Sequence, residues 1–178
     1  MLFKGPNSYT MNSCETIEMF YNLRTDLDKL TVASNITKII MDVTTENQNS
    51  YRVLQLFLNT LYAISETEKN IELINSIFKF RLLSIIGFLP NIKECTSCKT
   101  TENLSYFSFR DNGFKCESCG KQDKSAIHML PETKEAICYS ILSPAKKIYS
   151  FTVPDQTIHE LAIISKIYLN EKLEKDYK

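Results

Sequence analysis

The sequence predicts a mainly helical protein interrupted by a small four-cysteine hairpin module. Apolar residues recur at helical steps through most of the first 90 positions. The 178-residue chain holds only 4 Gly and 5 Pro, too few for a loop-rich β sandwich or a disordered chain. Periodicity then stops between residues 91 and 124, where cysteines come in pairs. A chain this long can bury roughly 70% of its unfolded surface, enough for one real core.

The opening, Leu2 to Thr10, reads as extended around a Gly5-Pro6-Asn7 turn signal. Asn12 or Ser13 is expected to cap a first helix carrying Ile17, Phe20, Leu23, Leu27 and Leu30. A second stripe follows at Val32, Ile36, Ile39, Ile40 and Val43, and the polar stretch from Thr44 to Ser50 breaks it. The next helix presents Leu54, Phe57, Leu58, Leu61 and Tyr62, with Val53, Leu56 and Ile64 on neighbouring faces. From Ile71 to Ile86 the sequence is apolar nearly all round, which places that helix at the centre of the others. Gly87 sits where a left-handed cap belongs, and Pro90 prevents continuation. Arg81, inside this run, is expected to pack its stem and send its head to an acidic partner or a carbonyl.

Aromatic alternation at Tyr106, Phe107, Phe109 and Phe114 around Asp111-Asn112-Gly113 signals a hairpin. A short helix behind Pro131, a break at Pro144, the apolar piece Ile148 to Phe151, and a last amphipathic helix opened by Pro154 complete the chain.

Cys95 and Cys98 enclose two residues, as do Cys116 and Cys119, and seventeen residues separate the pairs. This C-x2-C-x17-C-x2-C spacing lies in the window of zinc sites. Cysteines three positions apart on a tight turn can aim both sulfurs at one tetrahedral ion about 2.3 Å away. A pair of disulfides and a redox dithiol are the alternatives; the first is disfavoured by the lack of a secretory leader and the second needs only one pair. Four thiolates would close the shell of one structural Zn2+ and leave no open position for catalysis. Gly120 after Cys119 suits a sharp knuckle, whereas Lys99 takes the matching place after Cys98. His128 and His159 are expected to be ordinary surface or packing residues, and Cys14 and Cys138 to be small packed hydrophobes on helices.

Net charge is zero, which excludes a globally basic protein and restricts any nucleic-acid surface to a local patch. Residues 79–124 carry a net +3, which four thiolates around a zinc ion lower to about +1. Lys93, Lys99, Arg110, Lys115, Lys121 and Lys124, interleaved with Tyr106, Phe107 and Phe109, offer phosphate contacts beside stacking groups. A plain solvated face is the competing reading, and Lys146-Lys147 near Tyr149 forms a weaker second cluster. No apolar run reaches the roughly 18 residues of a membrane span. Neither histidine has an obvious nucleophile or acid partner and no phosphate-cradling glycine loop exists, so no enzyme is expected.

The run Phe80-Arg81-Leu82-Leu83-Ser84-Ile85-Ile86-Gly87-Phe88-Leu89-Pro90, then Cys95-x-x-Cys98 and Gly113-Phe114-x-Cys116-x-x-Cys119, resembles the helix and zinc finger of the bacterial RecO family. Phe20 to Leu30 resembles the first helix of that family's C-terminal part. The resemblance implies DNA repair and homologous recombination by binding of single- and double-stranded DNA, with annealing of strands. It also implies partnership with RecR and single-stranded DNA-binding protein, support of RecA loading, and a cytoplasmic, nucleoid-associated place. The family's N-terminal OB-fold barrel, which contributes much of its DNA contact, is expected to be largely missing. Residues 1–10 resemble only its last strand, and residues 11–178 resemble the C-terminal helical domain with its zinc finger at 93–124. The rival expectation is a zinc-stabilised protein-interaction fragment that binds no DNA.

Overall fold

The structure is a computed structural model that describes residues 2–6, 8–45 and 49–177. Strands β1 (Leu2–Lys4) and β2 (Tyr9–Met11) pair antiparallel. Helices α1 (Leu27–Val43), α2 (Tyr51–Glu66) and α3 (Ile71–Ile85) follow. Then come β3 (Leu104–Ser108), β4 (Gly113–Cys116), the one-turn α4 (Glu117–Gly120) and β5 (Ala126–His128). Helices α5 (Pro131–Leu142) and α6 (Asp155–Leu173) end the fold. The fold is mainly helical, as expected, and the second sheet has the antiparallel order β4-β3-β5. The three-residue β5 was not anticipated.

Two caps decide where α1 and α3 begin. The Asp26 carboxylate accepts from the Asp28 and Lys29 amides, and the Asn70 side-chain Oδ1 accepts from the Glu72 and Leu73 amides. The helix expected from Asn12 or Ser13 is therefore absent. Residues 12–19 are irregular, with only a 3-10 turn at Tyr21–Arg24 before Asp26. Ile17 is 99% exposed, because its spacing to Phe20 imitates a helix that nothing caps or covers. The expected turn at Gly5-Pro6-Asn7 falls partly on Asn7, outside the described residues. Its flank is closed by the Gly5 amide donating to the Ser8 carbonyl at 2.7 Å.

Helix α2 also faces the other way from expectation. Val53, Leu56, Thr60, Ala63 and Ile64 are buried, while Leu54, Leu58 and Tyr62 stand exposed. Both faces are apolar enough to serve, and the buried one gains a polar tie: Thr60 and the Tyr149 hydroxyl lie 2.6 Å apart. Helix α3 is central, packed by α1, α2, α5 and α6. Leu73, Ile74, Ile77, Phe78, Phe80, Leu82 and Leu83 are all buried on it. Gly87 takes the left-handed conformation, φ 105°, that ends this helix. Arg81 sends its guanidinium to the Ile141 carbonyl, the packing role expected of it.

The hairpin module is joined to the bundle through aromatic rings. Phe107 on β3 meets Phe80 on α3 edge-on at 6.1 Å and Tyr168 on α6 at 5.1 Å. Phe114 and Phe109 flank Phe107 at 6.1 and 5.4 Å. Phe107 and Phe114 are wholly buried and Phe109 nearly so, which makes them core residues. Phe107→Ala is expected to cost about 3–5 kcal/mol, read as a lower denaturation midpoint, with the module loosened from the bundle.

Lys79 on α3 is buried, and burial, then the like charge of Lys166, push its ammonium down to about 8 from 10.5. The folded state thus holds this proton less firmly than the unfolded chain, so the group destabilises below about pH 8 and its penalty fades as pH rises toward 10.5. Denaturant titrations should show unfolding free energy rising over that interval relative to Lys79→Met, whose stability lacks this component.

Candidate metal centre

Two knuckles and a hairpin bring the four cysteines together. In the first, the Cys95 amide donates to the Thr100 carbonyl at 2.7 Å and the Lys99 amide to the Cys95 carbonyl at 3.0 Å. Lys99 closes it at φ 66°, so the left-handed position after Cys98 is held without glycine. In the second, Cys116 ends β4 and Cys119 rides on α4, where the Lys121 amide donates to the Glu117 carbonyl at 3.1 Å. Gly120 is required there for space and not for φ. A Cβ would stand 2.2 Å from the Tyr106 ring. The segment that enters the first knuckle is tied to the hairpin through Asn91, whose amide donates to the Asn112 carbonyl and whose carbonyl accepts from the Phe114 amide, both at 2.8 Å. Gly113 must be glycine for that approach, since a Cβ would lie 2.4 Å from the Asn91 oxygen.

The sulfurs of Cys95, Cys98, Cys116 and Cys119 all lie within 4.8 Å of one another, and all four are free thiols. Cys98 and Cys116 are 3.6 Å apart. A tetrahedron of Zn–S bonds near 2.3 Å has sulfurs about 3.8 Å apart, so the spacing suits one metal ion. Cys95 and Cys116 are buried, Cys119 is half-buried and Cys98 faces solvent. Electrostatics agree with geometry. The Ser118 hydroxyl and the Cys119 amide hold the Cys116 thiol down at about 6. Burial raises the Cys95 thiol, but backbone amides of Cys98, Cys116 and Ser97 outweigh it and lower it. Cys119, crowded by Cys116 and Cys98, is pushed up to about 12. Of the four, Cys116 therefore loses its proton most readily and Cys119 least.

A buried ion network stiffens the hairpin behind the sulfurs. The Lys115 ammonium lies 2.7 Å from Asp123 and 2.5 Å from Asp111. Asp123 also accepts from the Ser108 hydroxyl at 2.6 Å and from the Ser125 amide and hydroxyl at 2.9 and 2.8 Å. Burial alone would raise the Asp123 carboxyl, but these donors hold it well below the usual carboxylate range. Spacing could not have identified Asp123, Ser108 and Ser125, because nothing local separates a buried aspartate in a polar loop from a solvated one.

The basic residues divide accordingly. Lys115 is only 3% exposed and committed to two carboxylates, so it presents no charge to a partner. Lys99 pairs with Glu94 at 3.0 Å, Lys121 with Glu117 at 2.7 Å, and Arg110 with Asp123 at 3.5 Å, all with exposed heads. Lys93 and Lys124 are exposed and form no ion pair among the described residues. Phe107 and Phe109 are in the core, not on a stacking surface, and Tyr106 is half-buried between Gly120 and His128. His128 and His159 are exposed and lie outside the sulfur cluster. Cys138 is half-buried on α5, whereas Cys14 is exposed in the irregular segment and not packed on a helix.

Comparison with known proteins adds independent findings. The family described as Recombination protein O C terminal matches residues 24–178. A DNA repair protein RecO from Acetivibrio thermocellus is 41% identical over 178 residues, covering 99% of this chain and 71% of the relative. Another from Thermoanaerobacter sp. is 30% identical over 178 residues, covering all of this chain and 72% of the relative. A third, from Alkaliphilus metalliredigens, is 30% identical over 176 residues.

Because its folded-state value is depressed, Asp123 contributes stability that is full above its ordinary value of 3.8 and is lost as pH falls below it. Asp123→Asn should cost about 3–5 kcal/mol near neutrality, since Lys115 is left buried with a single partner. Acid titration of the variant should show a shallower fall in stability than the parent, and an unchanged fall would contradict the network.

Proposed function

The chain belongs to the RecO family of DNA repair proteins, and from that premise we propose that it serves repair and homologous recombination by binding rather than by turnover. Cys95, Cys98, Cys116 and Cys119 hold one structural Zn2+, which ties the β3–β4 hairpin to its two knuckles. The spacing fits one ion, and the all-thiolate donor set supports zinc among the common structural metals. When bound, the ion supplies charge neutralisation and cross-linking only. The residues around it do the rest: Ser118 and the knuckle amides stabilise thiolate charge, and Phe107 seats the module on α3 and α6.

DNA is met on the outer side of the finger by Lys93, Lys99, Arg110, Lys121 and Lys124, while Lys115 acts from within by bracing the hairpin. These contacts are to phosphate, since the finger's phenylalanines are buried and unavailable for stacking. The helical body offers docking surfaces to RecR and single-stranded DNA-binding protein, in support of strand annealing and RecA loading. Residues 1–10 are read as the end of the family's OB-fold barrel. An isolated two-stranded ribbon with Phe3, Tyr9 and Met11 exposed is marginal alone and suits a larger sheet. No helix of the described residues is long and apolar enough to cross a membrane, and a cytoplasmic site near the nucleoid fits the role.

A second reading has its own support. Withdrawal of Lys115 and the phenylalanines from the surface leaves few free charges, which suits a zinc-stabilised protein-interaction module without DNA affinity. Salt titration separates the two. If phosphates are contacted, log affinity for single-stranded DNA falls linearly with log salt at a slope of about −0.7 per contact, and Lys93→Glu with Lys124→Glu flattens it by about 1–2. Affinity independent of salt would favour the interaction module.

A further inference from the structure

On the side of the bundle formed by α2, α3 and the end of α5 lies a recess of about 350 Å³. None of its lining residues belongs to the cysteine module. Its polar lining is Arg52, Gln55, Asn59, Arg81 and Ser84, and no acidic side chain lines it. The two arginines face a shared space, and neither forms an ion pair among the described residues. Arg81 spends one N–H on the Ile141 carbonyl, leaving most of its fork free. Burial, then the charge of Arg52, press on its guanidinium, so the recess holds two cations without a counter-charge. Leu56, Ile85 and Leu89 supply an apolar wall. The volume is at the small end of the roughly 300–1,000 Å³ range of small-molecule sites.

We propose that this recess binds a phosphate monoester of nucleotide size, its phosphate between the Arg52 and Arg81 guanidiniums and its body against the apolar wall. Charge counting selects this class. A phosphate monoester carries about −1.5 to −2 at neutral pH, which matches two arginines, and its oxygens accept from planar forks in pairs. A peptide carboxylate or a phosphodiester within a strand carries a single charge and leaves one guanidinium unmatched. Gln55 and the free carbonyl oxygen of Asn59, whose amide nitrogen donates to Ala145, add donors and acceptors for a base edge. Free nucleotide and the phosphorylated end of a nucleic-acid strand share this chemistry.

The test is calorimetric titration of the full chain, metal-loaded, with deoxythymidine monophosphate, and with thymidine as the control lacking phosphate. The monophosphate should bind at least about tenfold more tightly than thymidine, and Arg52→Glu should remove that preference with an unchanged thermal midpoint. Should Arg52→Glu alter the midpoint, Arg52→Gln, which keeps length without charge, replaces it with the same expectation. Two further probes distinguish the sources. A terminally phosphorylated oligothymidylate preferred over its hydroxyl-ended twin, through Arg52, identifies a strand end; equal binding of the two, with monophosphate binding retained, identifies free nucleotide. Equal affinity for thymidine and its monophosphate, or full binding by the Arg52 variants, overturns the proposal. So does displacement of the monophosphate by an acidic apolar peptide at lower concentration. Lys93→Glu with Lys124→Glu should weaken both oligomers and leave the monophosphate unchanged, so this site and the finger surface fail or succeed separately.

Discussion

The convergence of four cysteine sulfurs within 4.8 Å of one another is the constraint on which the module depends. Crowding by Cys116 and Cys98 drives the Cys119 thiol up, while the Ser118 hydroxyl and the Cys119 amide hold Cys116 down. A cation among the sulfurs would let all four act as thiolates together. The knuckles, the short strands and α4 are too small to define one conformation by burial alone, so the module's shape follows from the sulfur cluster. Close approaches elsewhere in the module are made possible by Gly113 against Asn91 and Gly120 against Tyr106, and the buried Lys115–Asp123 pair lies within the same hairpin.

The module is nonetheless part of the larger core. Phe107 reaches between α3 and α6 to touch Phe80 and Tyr168, so the strand that carries the hairpin also completes the bundle. Tyr168 in turn donates its hydroxyl to the Phe88 carbonyl at 3.0 Å, in the segment that leads from α3 toward Cys95. Metal centre and helical core are therefore coupled through a few rings, and a change at either should be felt at the other. The recess lined by Arg52 and Arg81 also borders α3, so that helix helps to wall both regions.

Where a residue's role depended on chain periodicity or fixed spacing, it was legible beforehand. Helix α3 was, because a stretch apolar on every side has only the centre of a bundle to occupy. The cysteine pairs were, because two residues between sulfurs and a hairpin between pairs leave little other geometry. Ile17 to Leu30 misled because apolar spacing says nothing of caps, and the cap is taken by Asp26 rather than by Asn12 or Ser13. Helix α2 is apolar on two faces, and the choice of Val53 and Leu56 over Leu54 and Leu58 is made by tertiary neighbours such as Tyr149. Lys115 looked like its neighbouring lysines. Only the fold shows that Asp111 and Asp123 close over it.

X-ray absorption at the zinc edge on the purified, reduced protein, with metal content measured on the same sample, addresses the sulfur cluster directly. One zinc per chain is expected, with four sulfur neighbours at about 2.3 Å and no nitrogen or oxygen in the shell. Zinc well below one per chain, or a shell in which nitrogen or oxygen replaces sulfur, would contradict the account.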